Sequence, residues 1–264
     1  IFVLYSLLCY ALLYWFPFDG WFWGFIMMSF PIVVAGHLVV LLFALFSAGK
    51  KNMVLPMFML IIAGVFLPRT FQFKPKKPGE TLDGKTFKVM NYNVHGFEND
   101  NRHGAKIMHE GKNMKEWVVS QDVDILCMAE YVSSSANNIS GSLKKKGFKH
   151  VRQYNESKFN RPESYWGMIL FSKYPIIAAK DTVFEMQNGM IQADIKVGKD
   201  TVRVVSIHLY SMTLRLNTLA RQRTLDAILV EGKKAARHIK QGFLGHAREL
   251  EAVLKWTKDS PYPV

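Results

Sequence analysis

The chain has 264 residues, two cysteines and a formal net charge of +13. The cysteines lack the CxxC spacing of a metal-binding pair and lie in different sequence environments, which excludes a cysteine-rich metal site and argues against a disulfide. Residues 1–68 carry only Asp19, Lys50 and Lys51 as charges, so residues 69–264 hold +12 of the net charge. The composition therefore predicts an apolar part and one basic soluble domain. Such a domain suits polyanionic partners, although a generic basic surface has the same composition.

The apolar part consists of three hydrophobic runs, at residues 1–16, 21–48 and 53–68. The second run has no charged residue and exceeds the about 20 residues that a transmembrane helix requires. The third run is marginal for spanning, because as a helix it would be about 24 Å long. We predict two to three transmembrane helices within residues 1–68, with the lipid bilayer as a partner, and a linker rich in proline, glycine and lysine over residues 69–86.

Charges beside these runs give conflicting signals about membrane orientation. Lys50 and Lys51 favour a cytoplasmic second loop, which places the soluble domain outside the cytoplasm if the third run also spans. Arg69 and the lysines of the linker favour the opposite orientation. We expect an integral membrane protein with an extracytoplasmic domain. His37 lies inside the second run and is interpreted as a helix-packing residue, with a functional intramembrane group as the alternative.

From residue 87 onward the sequence alternates predicted strands with predicted helices. The strands are expected at residues 87–93, 124–128, 148–154, 166–171, 176–184, 190–197 and 201–208, and the helices at residues 105–121 and 214–258. Glycines at positions 232, 242 and 245 are expected to interrupt the last helix. Its buried stripe is expected to comprise Ala247, Leu250, Val253, Leu254 and Trp256. Helices between strands, with a central run of hairpins, predict an α/β sandwich.

Three of the predicted strands end in a polar residue, namely Asn93, Glu130 and His208. Each residue has an ordinary structural interpretation when it is taken alone. Asn93 suits a turn, Glu130 a salt-bridged strand end, and His208 a hydrogen-bonded core position. Taken together, an amide, a carboxylate and an imidazole that converge at strand ends suit a divalent metal and a phosphate.

Four ordered segments resemble the endonuclease/exonuclease/phosphatase superfamily of DNase I-like phosphoesterases. They are residues 89–94 (VMNYNV), 124–130 (DILCMAE), 167–176 (GMILFSKYPI) and 204–209 (VVSIHL). The resemblance covers the chain from residue 87 to residue 264. It implies a DNase I-like four-layer α/β sandwich in which two β-sheets are flanked by helices.

The resemblance also implies roles for individual residues. Asn93 matches the catalytic-site asparagine after the first strand, Glu130 matches the metal-binding glutamate, and His208 matches the histidine that faces the scissile phosphate. Asn93 and Glu130 are the candidate ligands for Mg²⁺ or Mn²⁺, and Asn93 and His208 are the candidate catalytic residues. Ser172 is the polar member of the third segment, and we expect it to be structural.

The chain departs from the family pattern at two points. Ala129 stands where the family usually has glutamine, and neither the Asp-x-Asn strand end nor the late Asp-His pair of the family is found. Because the pattern is intact up to residue 264, we expect a chain that is truncated before these motifs and is inactive by itself.

We therefore expect the complete protein to be a membrane-anchored, metal-dependent phosphoesterase that hydrolyses a phosphodiester or a phosphomonoester. Candidate substrates are nucleic acid, a phospholipid such as sphingomyelin, or a phosphorylated small molecule. Membrane tethering favours a lipid, whereas the basic domain is compatible with nucleic acid. The alternative is a noncatalytic membrane-anchored binding protein that uses the same scaffold. No protein partner is predicted.

Overall fold

The structure is a computed structural model that describes residues 1–15, 20–46, 50–71, 86–98, 105–134, 139–153, 164–184, 188–212, 218 and 220–264. Most of the predicted linker, residues 72–85, lies outside the described residues. The chain divides into two compact units. A helical unit comprises Ile1–Leu82 and Met212–Leu244, and an α/β unit comprises Asp83–Ser211 and Gly245–Val264.

The helical unit is built from apolar helices. They are α1 (Phe2–Tyr14), α2 (Trp21–Met28), α3 (Phe30–Leu45) and α4 (Val54–Thr70), with a 3₁₀ turn at Lys50–Met53 before α4. Within the described residues, two stretches are long and apolar enough to cross a membrane, Trp21–Leu45 with 25 residues and Lys51–Thr70 with 20. The second stretch extends the third hydrophobic run of residues 53–68 by a few residues at both ends.

Most apolar side chains of these helices face outward. Only 22% of each candidate span is buried, whereas the core helix of a soluble protein is mostly buried. A small interior forms around Phe30, Met59 and Ala63. Polar residues join it, since His37 Nε2 lies 2.9 Å from Ser6 Oγ, and the Ser6 hydroxyl donates to the Phe2 carbonyl. His37 therefore links α3 to α1, as expected of a helix-packing residue.

Two sheets form the centre of the α/β unit. The strands are β1 (Val89–Asn93), β2 (Ile125–Ser134), β3 (His150–Gln153), β4 (Ser164–Ser172), β5 (Ile176–Val183), β6 (Gly189–Val197) and β7 (Asp200–His208). One sheet has the order β1-β2-β4-β3, and the other has the order β5-β6-β7. Among the described strands, β1 and β2 run parallel and the other pairs are antiparallel. The predicted mixed α/β fold with two sheets is confirmed.

One hydrophobic core joins the two sheets. It contains Leu126 and Met128 from β2, Leu170 from β4, and Ile191 and Ile195 from β6. Successive side chains of a strand point to opposite faces of its sheet, so each strand directs apolar side chains into this core. The helices of this unit include α5 (Ala105–Ser120), whose Val118 is buried in the core, and α6 (Ser140–Lys145).

The last helix, α7, runs without interruption from Leu225 to Thr257. The expected breaks at its glycines are therefore wrong, and two of these glycines are close-approach points instead. A Cβ at Gly242 would overlap the Met212 side chain, and one at Gly245 would lie 3.1 Å from Cβ of Tyr210. The expected buried stripe is also wrong in part, since Leu250 and Leu254 are exposed while Glu249 is buried. The buried face of α7 is determined by its hydrogen bonds to Tyr210, and not by the spacing of its leucines.

Candidate active site

Glu130 lies at a β-bulge in β2. The pairing of β2 with β4 shifts between Met128 and Tyr131, so that two residues of β2 stand opposite one residue of β4. Glu130 adopts a φ of 51°, in the left-handed region that non-glycine residues rarely occupy. Such backbone conformations cost about 1–3 kcal/mol and are concentrated at functional sites. The bulge interrupts the strand alternation and turns the carboxylate toward the end of β1.

Asn93 holds the Glu130 carboxylate from the neighbouring strand. β1 and β2 are parallel, and Asn93 at the end of β1 is paired to Ala129 in the middle of β2, directly before Glu130. The Asn93 Nδ2 group donates to Glu130 Oε1 over 2.8 Å. Its Oδ1 accepts the backbone N–H of His95 over 2.9 Å, which forms a turn closed by the asparagine side chain.

His95 is a site residue that the sequence interpretation missed. Its Nδ1 lies 3.0 Å from Glu130 Oε2, and its side chain is largely exposed. Its φ of 43° belongs to a short left-handed stretch that also includes Gly96 and Phe97. The sequence signal for His95 is its position two residues after a strand-end asparagine, because an asparagine side chain in a turn accepts the backbone N–H two residues later.

His208 reaches the same carboxylate from the second sheet. Its Nε2 lies 3.3 Å from Glu130 Oε1, and its side chain is 15% exposed. The chain just after β7 is fixed by α7, because Glu249 accepts the Tyr210 N–H over 2.8 Å and His246 Nε2 lies 2.7 Å from the Tyr210 carbonyl oxygen. The absence of a side chain at Gly245 allows this close approach.

The structure thus brings Asn93, Glu130 and His208 together, and adds His95. Burial raises the pKa of the Glu130 carboxyl group, whereas hydrogen bonds from Asn93 and His95 lower it. The nearby histidine charges lower it further, and the net result is a pKa below the ordinary value. Glu130 is therefore ionised at neutral pH, and its negative charge suits the binding of a cation, either free or bound to a phosphate group.

The side chains of this site fit a hard divalent cation that takes one carboxylate ligand from the protein. Glu130 is partly exposed, each carboxylate oxygen accepts more than one bond, and Mg²⁺ retains several waters when one or two carboxylates bind it. Within the described residues, no group of three or more His, Cys, Asp or Glu side chains could hold a metal ion.

Ser172 lies away from this cluster. It is buried at the end of β4, and its Oγ accepts the backbone N–H of Tyr174 over 3.0 Å. This contact closes the turn between β4 and β5, which is a structural role. Cys127 is also buried, one sheet position from the bulge, and both cysteines of the chain are free.

Two family models match the chain. The model described as the endonuclease/exonuclease/phosphatase family matches residues 90–241, and a domain of unknown function (DUF8431) matches residues 1–70. The first match contains Asn93, Glu130 and His208. A comparison with curated proteins gave no significant match.

Solved structures also resemble the chain at low sequence identity. Sphingomyelinase C from Streptomyces griseocarneus is 16% identical with a TM-score of 0.39, and the match covers 48% of this chain and 50% of that protein. Humanized D. rerio TDP2 is 13% identical with a TM-score of 0.40, over 66% and 61% of the two chains. SmcL is 15% identical with a TM-score of 0.44, over 66% and 59%. The chain thus spans between half and about three fifths of these structures.

Proposed function

Because the chain belongs to the endonuclease/exonuclease/phosphatase family, we propose that the protein hydrolyses a phosphoester at the site around Glu130. One observation carries the proposal. The single carboxylate of Glu130 is held by Asn93, His95 and His208, which come from two sheets and one turn. A bulge with a left-handed residue is difficult to explain by packing alone, and it aims this carboxylate at the other three groups.

We propose that Glu130 holds Mg²⁺ or Mn²⁺ together with water. A bound cation of this kind stabilises the negative charge that develops on a phosphoryl group. Asn93 then acts first as a positioning residue, because both ends of its amide are engaged, by Glu130 and by the His95 N–H. The second lone pair of its Oδ1 is left for a cation.

His208 suits direct contact with the substrate. Its Nε2 faces the Glu130 carboxylate, and a protonated imidazole there would donate to a phosphoryl oxygen and offset its charge. His95 is more exposed than His208 and contacts the other oxygen of the Glu130 carboxylate. It would therefore fix the orientation of this carboxylate while leaving space beside the carboxylate. The choice of substrate in the assay distinguishes three substrate classes: nucleic acid, phospholipid and phosphorylated small molecule.

The test is hydrolysis by protein purified from the complete reading frame, with and without Mg²⁺ or Mn²⁺. The substrates are bis-p-nitrophenyl phosphate, single-stranded DNA, sphingomyelin vesicles and an inositol phosphate. Glu130→Gln keeps the shape but removes the charge, and we expect turnover to fall by about 10²–10³-fold or more, the loss typical of one transition-state electrostatic contact. Glu116→Gln is the matched control, since Glu116 is an exposed carboxylate in the same unit.

Near wild-type turnover in the Glu130→Gln enzyme, with its metal dependence unchanged, would rule out the role of Glu130. A folded protein that hydrolyses none of the substrates would favour the second candidate, a noncatalytic binding protein. Ala129 is the observation that favours this candidate, because it is buried beside Glu130 and adds no polar group to the site. Equilibrium dialysis of the same substrates against the inactive protein would then identify its ligand.

We also propose that the helical unit anchors the protein in a membrane, through Trp21–Leu45 and Lys51–Thr70. The support is their length together with the outward direction of their apolar side chains. Alkaline carbonate extraction should leave the protein in the membrane pellet, and its release into the supernatant would contradict the anchor. Protease accessibility in intact spheroplasts tests the expected extracytoplasmic position of the α/β unit, which a fully protected unit would contradict.

A further inference from the structure

The first part of α7, from Leu225 to Leu244, belongs to the helical unit and has two distinct faces. One face is apolar, with residues three, four or seven positions apart. Its members are Leu225, Ile228, Leu229, Gly232, Ala235, Ala236, Ile239 and Phe243. The adjoining face is polar and basic, with Lys233, Arg237 and Lys240, and Lys234 lies opposite the apolar face. Such a strongly two-sided helix needs a second surface for its apolar face.

Only one end of the apolar face is covered. Phe243 packs against α2, with its ring 6.0 Å from that of Phe25 and its edge against Gly24, where a Cβ would come within 2.8 Å. At the other end Leu225, Ile228 and Leu229 are exposed. The uncovered end therefore continues a surface that already contacts a candidate membrane span, because α2 is the first part of Trp21–Leu45.

The basic face lies at the level where such a span begins. The Nζ atom of Lys240 lies 4.6 Å from the ring centroid of Trp21, the first residue of that span. Tryptophan at the end of a span is typical of the membrane–water interface. Arg237 and Lys233 lie about one and two turns before Lys240 on the same side and are exposed, whereas Lys234 pairs with Glu231 over 2.6 Å.

We propose that residues 225–244 of α7 form an interfacial helix that lies on an anionic lipid surface. The apolar face enters the acyl boundary, and Lys233, Arg237 and Lys240 contact acidic headgroups. Helices with a basic polar face and an apolar face bind membranes in this way. The inference rests on the proposed membrane anchor but not on the proposed catalysis, because no residue of the Glu130 site takes part.

Fluorescent probes at two neighbouring positions test this orientation. Ile228 and Val230 are both β-branched and similarly exposed, at 41% and 51%, but they lie on opposite sides of α7. Ile228→Cys and Val230→Cys are each labelled with NBD in the full chain and placed in nanodiscs of phosphatidylcholine with 30% phosphatidylglycerol. The native cysteines are buried, and the unsubstituted chain measures their background labelling. We expect blue-shifted emission and strong quenching by doxyl lipids at position 228, and water-like emission at position 230.

The charge contribution is tested with the same probe. In Lys233→Gln/Arg237→Gln the ratio of lipid-embedded to water-exposed probe at position 228 should fall about 25-fold, or about fivefold for each cation removed. Pure phosphatidylcholine nanodiscs should lower the ratio in the same direction. Equal quenching in the two lipid compositions would overturn the anionic assignment.

Other outcomes would overturn the proposal as a whole. Water-like emission at both positions, in nanodiscs that hold the protein, would show that the helix does not contact lipid. Shielding of the position-230 probe by a single-stranded oligonucleotide, with position 228 still unquenched, would assign the basic face to nucleic acid instead. Failure of the anchor itself is separate, because the protein would then be released by carbonate and would not enter nanodiscs.

Discussion

The helical unit and the α/β unit use similar apolar residues in opposite ways. In the α/β unit Leu126, Met128 and Leu170 are fully buried in one core between the sheets. In the helical unit Ile32, Phe43 and Ile61 point outward, while Ser6 and His37 are buried. The hydrophobic effect drives apolar surface away from water, and large exposed apolar surfaces mark sites that a partner or a membrane covers. Under the proposed membrane anchor, the two units would therefore differ in the solvent that surrounds them.

The largest predicted contrast concerns the two thiols. Burial raises the pKa of the Cys127 thiol to about 12, from an ordinary 9.0, which lowers its thiolate fraction at pH 8 by about a thousandfold. In detergent micelles neither thiol should react with a water-soluble disulfide reagent. In urea that unfolds the α/β unit, Cys127 should react while Cys9 stays shielded by the micelle. Simultaneous reaction of both thiols would contradict the difference in solvent.

The next effect concerns a buried ion pair in the α/β unit. Arg203 donates from Nε and Nη2 to the Asp194 carboxylate over 2.7 and 2.9 Å, and both side chains are nearly buried. Asp194→Ala would remove both of these hydrogen bonds and the opposite charge from the largely buried guanidinium, so we expect the free energy of unfolding to fall by about 3–5 kcal/mol in urea titrations. Asp194→Leu/Arg203→Leu should recover much of this loss. An equal loss in both variants would show that packing, rather than loss of the charge partner, is responsible.

A matched pair of leucines tests the comparison directly. Leu126 is 0% exposed in the α/β core, whereas Leu42 is 56% exposed on α3. Leu126→Ala should lower the free energy of unfolding by about 2–5 kcal/mol, because it removes buried contacts and leaves a cavity. Leu42→Ala should cost about 0.5 kcal/mol or less, since its side chain meets lipid or detergent rather than protein. Urea unfolding of each variant in micelles measures both values, and similar losses would break the comparison.

The smallest effect concerns the polar interior of the helical unit. His37→Phe removes the contact with Ser6 Oγ but keeps a ring of similar size. Hydrogen bonds between membrane helices average about 0.6 kcal/mol, so we expect a small loss of stability by steric-trap or SDS unfolding. Ser6→Ala should give the same loss, and the double variant should add nothing more. A loss several times larger in His37→Phe alone would indicate a functional intramembrane group, the alternative interpretation of His37.

Much of the candidate site could be predicted from strand ends. Asn93 and His208 end β1 and β7, whereas Glu130 follows an apolar run but lies inside β2, at the bulge. Local hydrophobic patterns mark such ends, and neighbouring parallel strands bring theirs to the same edge. His95 could not be recognised in this way, because its contact with Glu130 depends on a left-handed turn that contains Gly96. A turn of that kind positions a side chain by backbone geometry, which residue type alone does not specify.

The sequence by itself determined the apolar helices, the order of most strands, and the polar residues Asn93 and His208 at the ends of β1 and β7. These properties depend on the composition and the local hydrophobic periodicity of each segment, and not on its contacts with the rest of the chain. The tertiary structure decided the bulge that turns Glu130, since it arises where β2 must pair with the distant β4. It also decided that α7 continues through its glycines, because Met212 and Tyr210 pack where side chains are missing. Long-range packing selects among local conformations that differ by only a few kcal/mol.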